Sequence, residues 1–230
     1  MQITSDYTGH VEPGGPAARR ELDALTITKI SVGGSMDNNA YLLVCKKTNE
    51  ALLIDAANDP QRLSDLIGFD RDRPSLRTIV TTHQHHDHWQ ALGAIAGQYG
   101  TDTVAHPDDA GPLPIPPDVL VRHGDTITVG AVPLEVIHLR GHTPGSIALL
   151  HRDAGADGNG HPHLFTGDSL FPGGPGRTTN AQDFTSLMDD IEARIFDVLP
   201  DETWFYPGHG DDSTLGTERA HLPEWRARGW

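Results

Sequence analysis

Apolar residues in the first half of the chain fall in short, β-rich runs. Leu25 to Val32, Ala40 to Cys45 and Ala51 to Ile54 are separated by Gly33-Gly34 and by Lys46-Lys47-Thr48-Asn49-Glu50, so they predict an antiparallel meander. Pro60 to Ile67 has helical spacing, and Arg77 to Thr81 reads as a buried strand running directly into Thr82-His83. From Asp87 to Tyr99 apolar residues recur at helical intervals, which predicts a helix with Asp87 and His88 in its first turn. A second strand series follows at Asp102 to Ala105, Val119 to Val121, Thr126 to Val129, Val132 to Leu139, Ser146 to His151 and His163 to Thr166. Ala181 to Leu199 is the longest helical pattern, Thr203 to Tyr206 a last strand and Thr217 to Ala227 a closing helix. The Gly/Asp-rich stretch Asp153 to Gly160 reads as a hairpin tip. Residues 1–23, with Pro13-Gly14-Gly15-Pro16 and few apolar positions, read as a loose arm, and 211–230 as a short C-terminal tail. Two strand series, each followed by helices, predict one α+β domain over 1–230, with two sheets face to face and helices outside.

Composition narrows the function classes. The 230 residues carry 37% hydrophobic positions, enough for one layered core, and a formal net charge of -15. Such a surface repels phosphate backbones and anionic lipid, so neither nucleic acid nor a membrane is expected as a partner. The single Cys45 lies in an apolar strand pattern and cannot form an internal disulfide. No basic segment followed by an apolar core opens the chain, and no apolar run reaches the length of a membrane span, so a cytoplasmic location is expected. The oligomeric state is not legible.

The chemistry concentrates in Thr81-Thr82-His83-Gln84-His85-His86-Asp87-His88. Alternate residues of an extended segment face one way, so His83 and His85 can close on one ion, while Asp87 and His88 point at a neighbouring position. Three isolated groups follow, each near a predicted strand end beside glycine: His142 in Gly141-His142-Thr143-Pro144-Gly145-Ser146, Asp168 in Thr166-Gly167-Asp168-Ser169-Leu170, and His209 in Pro207-Gly208-His209-Gly210.

In this order, HxHxDH, GHTPGS, GDSLF and PGHG, the chain resembles the metallo-β-lactamase superfamily, in particular its hydroxyacylglutathione hydrolase (glyoxalase II-like) branch. The resemblance runs from Leu25 to the last helix and implies a four-layer αββα sandwich. It implies that His83, His85 and His142 hold one metal, that Asp87, His88 and His209 hold a second, and that Asp168 bridges them. The implied cofactors are two divalent ions, zinc foremost, with iron or manganese as alternatives. The implied activity is cleavage of a small-molecule thioester or ester by a metal-bridging hydroxide, with Asp87 orienting the hydroxide and Asp168 positioning both ions. Asp55, at the end of the Leu52-Leu53-Ile54 run, matches a position that braces a ligand.

Other features limit or qualify that reading. Full-length members of the branch carry a further helical part that binds glutathione, whereas only a short tail follows PGHG here, so the thiol is left open. Trp89 is read equally as narrowing the pocket or as packing, and Arg177 as an ion-pair donor at least as much as a substrate contact. Gln84 and His86 should face away from the metals, His138 reads as half-buried, and His10, His106, His123, His151, His161, His163 and His221 as solvated. Two other activities compete with thioester hydrolysis. One is an iron-dependent persulfide dioxygenase using His83, His142 and Asp168, disfavoured by Thr179 standing where those enzymes have Asp. The other is a lactonase or β-lactamase-like hydrolase.

Overall fold

A computed structural model describes residues 1–33 and 37–229; Gly34 of the predicted Gly33-Gly34 turn and Trp230 of the predicted tail lie outside the described residues. One sheet runs in sequence order through β1 (Ile3–Thr4), β2 (Ala17–Glu21), β3 (Leu25–Ser31), β4 (Asn39–Cys45), β5 (Glu50–Ile54), β6 (Ser75–Val80), β7 (Asp102–Ala105) and β8 (Val119–Leu120). From β2 to β5 neighbours are antiparallel, which is the predicted meander, and from β5 to β8 they are parallel. The other sheet is an antiparallel run of β9 (Thr126–Val129), β10 (Val132–His138), β11 (Ile147–Arg152) and β12 (Pro162–Gly167). After a two-stranded ribbon of β13 (Leu170–Phe171) and β14 (Gly174–Pro175), β15 (Trp204–Pro207) joins parallel to β12, and β16 (Ser213–Thr214) closes the edge.

Both faces of the central strands are covered, which is why they read as continuous apolar runs. In β4, Ala40, Leu42 and Val44 pack outward, while Tyr41, Leu43 and Cys45 face the other sheet. In β11, Ile147 and Leu149 face inward, and Ala148 and Leu150 outward. Helices α1 (Pro60–Ile67) and α2 (Leu92–Tyr99) cover the first sheet through Leu63, Leu66, Leu92 and Ile95. Helix α3 (Ala181–Ile191) covers the second through Phe184, Leu187 and Met188; α4 (Leu215–Arg219) and α5 (Leu222–Arg228) complete that layer, the latter burying Trp225. The result is an αββα sandwich with three apolar layers. Local chemistry sets the helix starts: the Asp59 carboxylate accepts from Arg62 N before Pro60 opens α1, and Asn180 accepts from Asp183 N before α3.

Four expectations are corrected. Residues 1–23 are not a loose arm: β1 and β2 extend the first sheet, with Ala17 and Ala18 buried and Arg19 forked onto Asp70 at 3.0 and 2.8 Å. Arg20 lies over the Trp204 ring, 3.8 Å from its centroid. The segment is anchored by arginine and alanine, so an apolar pattern does not reveal it. Residues 211–229 are likewise integrated, and the predicted helix 217–227 divides in two because Pro223 supplies no N–H to continue it. Asp87 and His88 lie in a separate 3-10 turn, His86–His88. There the N–H groups of Gln90 and Ala91 donate to Ala57 and Ala56 carbonyls in the neighbouring segment, which delays α2 until Leu92. Finally, His106, His151 and His163 are buried. Cross-strand pairing of His151 with His163 places both on the inner face of the second sheet, which single-residue polarity does not predict. Among the described residues no helix is long and apolar enough to cross a membrane.

Candidate metal centre

The predicted groups all leave C-terminal strand ends: β6 leads to His83, β10 to His142, β12 to Asp168 and β15 to His209. The Ile147 N–H donates to the Thr82 carbonyl at 2.9 Å and so ties the ends of the two sheets together. All seven residues converge. His83, His85 and His142 offer one donor atom each within 4.8 Å of one another, as do Asp87, His88 and His209, and also His83, His88 and Asp168. Asp168 Oδ2 lies 3.7 Å from His142 Nε2, 4.0 Å from His83 Nε2 and 3.3 Å from His209 Nε2, while its Oδ1 is 3.3 Å from His88 Nε2. It therefore stands between the two clusters. Asp87 Oδ2 lies 3.3 Å from His209 Nε2 and 3.7 Å from His88 Nε2.

Four of these groups are aimed by a neighbour. His88 Nδ1 donates to Asp55 Oδ2 at 2.8 Å, and the same carboxylate accepts from the Thr82 N–H and hydroxyl. Asp55 thus braces His88, in a backbone conformation with φ +57. His83 Nδ1 pairs with Thr82 Oγ1 at 3.0 Å, and His142 Nδ1 donates to the Arg177 carbonyl at 2.7 Å. A histidine held through Nδ1 turns Nε2 inward, the usual support for a metal-bound imidazole. Arg177 contributes its backbone in this way while its side chain is exposed. Asn38 Nδ2 donates to Asp87 Oδ2 at 3.0 Å.

Several supporting residues were not singled out from sequence. The fully buried Lys29 ammonium donates to the carbonyls of Gly9 and Gly210 and to Asp212, each at 2.7 Å. Asn39 and Tyr41 add hydrogen bonds to the Pro207 carbonyl, so the loop carrying His209 is held from the first sheet. Buried Asp109 accepts from Gln84 N at 3.0 Å, Gly145 N at 2.7 Å and Thr143 Oγ1 at 2.5 Å, and joins the His83–His88 loop to the His142 loop. The signal that could have found it is His106-Pro107-Asp108-Asp109, a turn directly after a strand end like the other site segments. Gly208 is required by space, since a Cβ there would stand 2.2 Å from Asp168 Oδ1 and 2.6 Å from His88 Cε1. Of the residues expected to face away, His86 is exposed and edges Trp89, whose indole donates to the Gln84 carbonyl and packs on the first core layer.

The electrostatics divide the cluster. Burial, reinforced by His88, holds His83 well below the ordinary imidazole value, and burial also lowers His142. Both rings are thus neutral with lone pairs available, and their buried Nε2 atoms make no hydrogen bond. Burial opposes a charge on His88, yet Asp55 and Asp168 raise it to about 10. Burial likewise opposes ionisation of Asp168, but hydrogen bonds from His209 and His88 hold its carboxyl far below the carboxylate range. The site therefore favours positive charge between Asp55, Asp168 and Asp87 and offers unused nitrogen lone pairs beside it. That donor set fits borderline divalent cations.

The model for the metallo-beta-lactamase superfamily matches residues 33–209. The chain belongs to this superfamily. Its members are generally metal-dependent hydrolases, and their fold binds divalent metals, often two. A hydroxyacylglutathione hydrolase of Polaromonas sp. is 32% identical over 188 residues, covering 80% of this chain and 66% of that protein. Among superfamily structures, the BLEG-1 B3 metallo-beta-lactamase superposes with a TM-score of 0.73 at 27% identity, covering 86% of this chain and 99% of that one. ETHE1 from Myxococcus xanthus gives 0.72 at 29% identity, covering 87% and 84%.

Proposed function

We propose that this superfamily member is a dinuclear hydrolase that cleaves the thioester of a low-molecular-weight thiol. The observation that carries the reading is the placement of Asp168 between two three-residue clusters, within reach of His83 and His142 on one side and His88 and His209 on the other. His83, His85 and His142 would hold one cation and Asp87, His88 and His209 the other, with Asp168 shared. Two zinc ions there would supply Lewis acidity and, by lowering the pKa of water toward about 7, hydroxide at neutral pH.

The chain's own residues set the rest. Asp87, held by Asn38, is placed to accept a hydrogen bond from the attacking oxygen and so to orient it. A thioester suits a centre with no dedicated general acid among the described residues, since its thiolate leaving group is a weak base. Beside His85 and His142 lies a cleft of about 490 Å³ walled by Gln84, Thr143, Thr179 and Ser186, polar enough for a hydroxyacyl group. A hollow of about 370 Å³ is lined by Phe184 and by Arg177 and Arg228, two cationic residues that suit a carboxylate on the thiol. The name of the Polaromonas relative supports the same substrate class.

The test is thiol release from S-lactoyl thioesters of glutathione and of other small thiols, beside a β-lactam, a lactone and oxygen uptake with glutathione persulfide. Preferred thioester cleavage is expected. Ring opening with no thiol release, or oxygen uptake with persulfide, would replace this reading.

A further inference from the structure

A second group of metal-ligating side chains lies outside the centre. His106 at the end of β7, Asp108 in the short turn Pro107–Asp109 and His138 at the end of β10 offer one donor atom each within 4.8 Å of one another. Neither histidine is absorbed by the proposed chemistry. His106 is 3% exposed, and its ring stacks on His138 with centroids 4.1 Å apart. Its Nδ1 lies 3.7 Å from Asp108 Oδ2 and accepts a long 3.2 Å hydrogen bond from the Asp108 N–H. His138 faces the Pro144 carbonyl through Nε2 at 2.8 Å. A carbonyl can only accept, so Nε2 carries the proton and Nδ1 keeps a lone pair. This is the arrangement in which His142 is held by the Arg177 carbonyl. Burial, with His138 beside it, keeps the His106 ring neutral and so able to ligate.

We infer that His106, Asp108 and His138 form a further divalent-cation site, taking a borderline ion such as Zn²⁺ or Ni²⁺ on two imidazole nitrogens and one carboxylate oxygen, with the His138 ring turning out of its near-parallel stack on His106 so that both in-plane lone pairs meet the ion. The ion would displace the long Asp108 N–H contact and leave its remaining positions to water, because Asp108 is exposed. The site is mechanically joined to the catalytic loops. Asp109, the next residue, holds Gln84, Thr143 and Gly145, and His138 holds Pro144, two residues from His142. Occupancy therefore bears on the cleft side of the centre.

The experiment is a Zn²⁺ titration of the metal-loaded protein, with bound metal counted after gel filtration and folding checked by thermal melting. Wild type should take up one equivalent beyond those of the centre. His138→Gln, whose amide can still donate to Pro144, should lose that equivalent, and Asp108→Asn, at an exposed position, should weaken it while melting as wild type. Asp168→Ala should still bind one Zn²⁺ that His138→Gln in the same background abolishes, which separates this site from the reading of the centre. Saturation of wild type with no added equivalent, or an unchanged added equivalent in His138→Gln, would overturn the inference.

Discussion

The cluster of Asp87, His88 and His209 is backed by side chains of the first sheet and of the segment after it, whereas the cluster of His83, His85 and His142 is held by Thr82, Asp109 and one loop carbonyl and opens on the cleft. Behind the first stand Asp55, Asn38 and, through the His209 loop, Lys29, Asn39 and Tyr41. Behind the second stand the Arg177 carbonyl, Thr82 and Asp109, with His85 exposed. Both draw residues from both sheets, so the difference is not one of topology. It shows that each cluster keeps one fully buried histidine, His88 or His83, and that only the second presents an exposed ligand, His85, to whatever enters the cleft.

Substitutions can break this contrast or sharpen it. Asp168→Ala removes the one residue shared by both clusters and should abolish it: both cations are lost, and kcat/KM falls by several kcal/mol of transition-state stabilisation, about a thousandfold or more, measured by metal analysis and thioester turnover. Asp55→Asn should affect the two clusters unequally. Removing the carboxylate that orients His88 directly, and His83 only through Thr82, is expected to weaken one of the two cations about 10- to 100-fold in chelator competition and the other less. Asp109→Asn acts on the cleft side, loosening the Thr143–Gly145 segment, so turnover should fall further than metal affinity.

Acid probes Asp190, which holds Arg140 at the start of the His142 loop. Burial of Asp190 opposes its ionised form, but hydrogen bonds from the Arg140 side chain and N–H, with Arg194 nearby, hold its carboxyl below the ordinary value. Its folded value is depressed, so its contribution to stability is fully present above the unfolded value of about 3.9 and is lost as pH falls through the lower folded value. Asp190→Asn should flatten the acid limb of the stability profile below about pH 4, read by denaturant unfolding across pH. The smallest effect is expected from His86→Ala: the ring is exposed and points away, so metal content and turnover should match wild type and stability should change by no more than about 0.5 kcal/mol.

Much of this architecture is legible in the sequence because doubly buried strands must be apolar at every position. Residues 60–67, 102–105 and 126–129 match the predicted elements to the residue. The ligand candidates are legible because histidine and aspartate beside glycine at strand ends have few other uses. What escapes are features set by partners distant in sequence. The Asp109 bonds span up to 36 residues, and the Lys29 contacts reach from β3 to Gly210 and Asp212. The buried pair of His151 and His163 depends on strand register, and β1 and β2 depend on arginines whose partners lie elsewhere in the chain. None of these leaves a periodic signal.

The most direct test counts the metal in the purified protein while following thiol release from an S-lactoyl thioester. The account predicts two tightly held divalent cations per chain and thiol release that disappears with them in Asp168→Ala and returns in wild type on reloading. A single bound iron with oxygen uptake and no thiol release, or full metal content in Asp168→Ala, would contradict it.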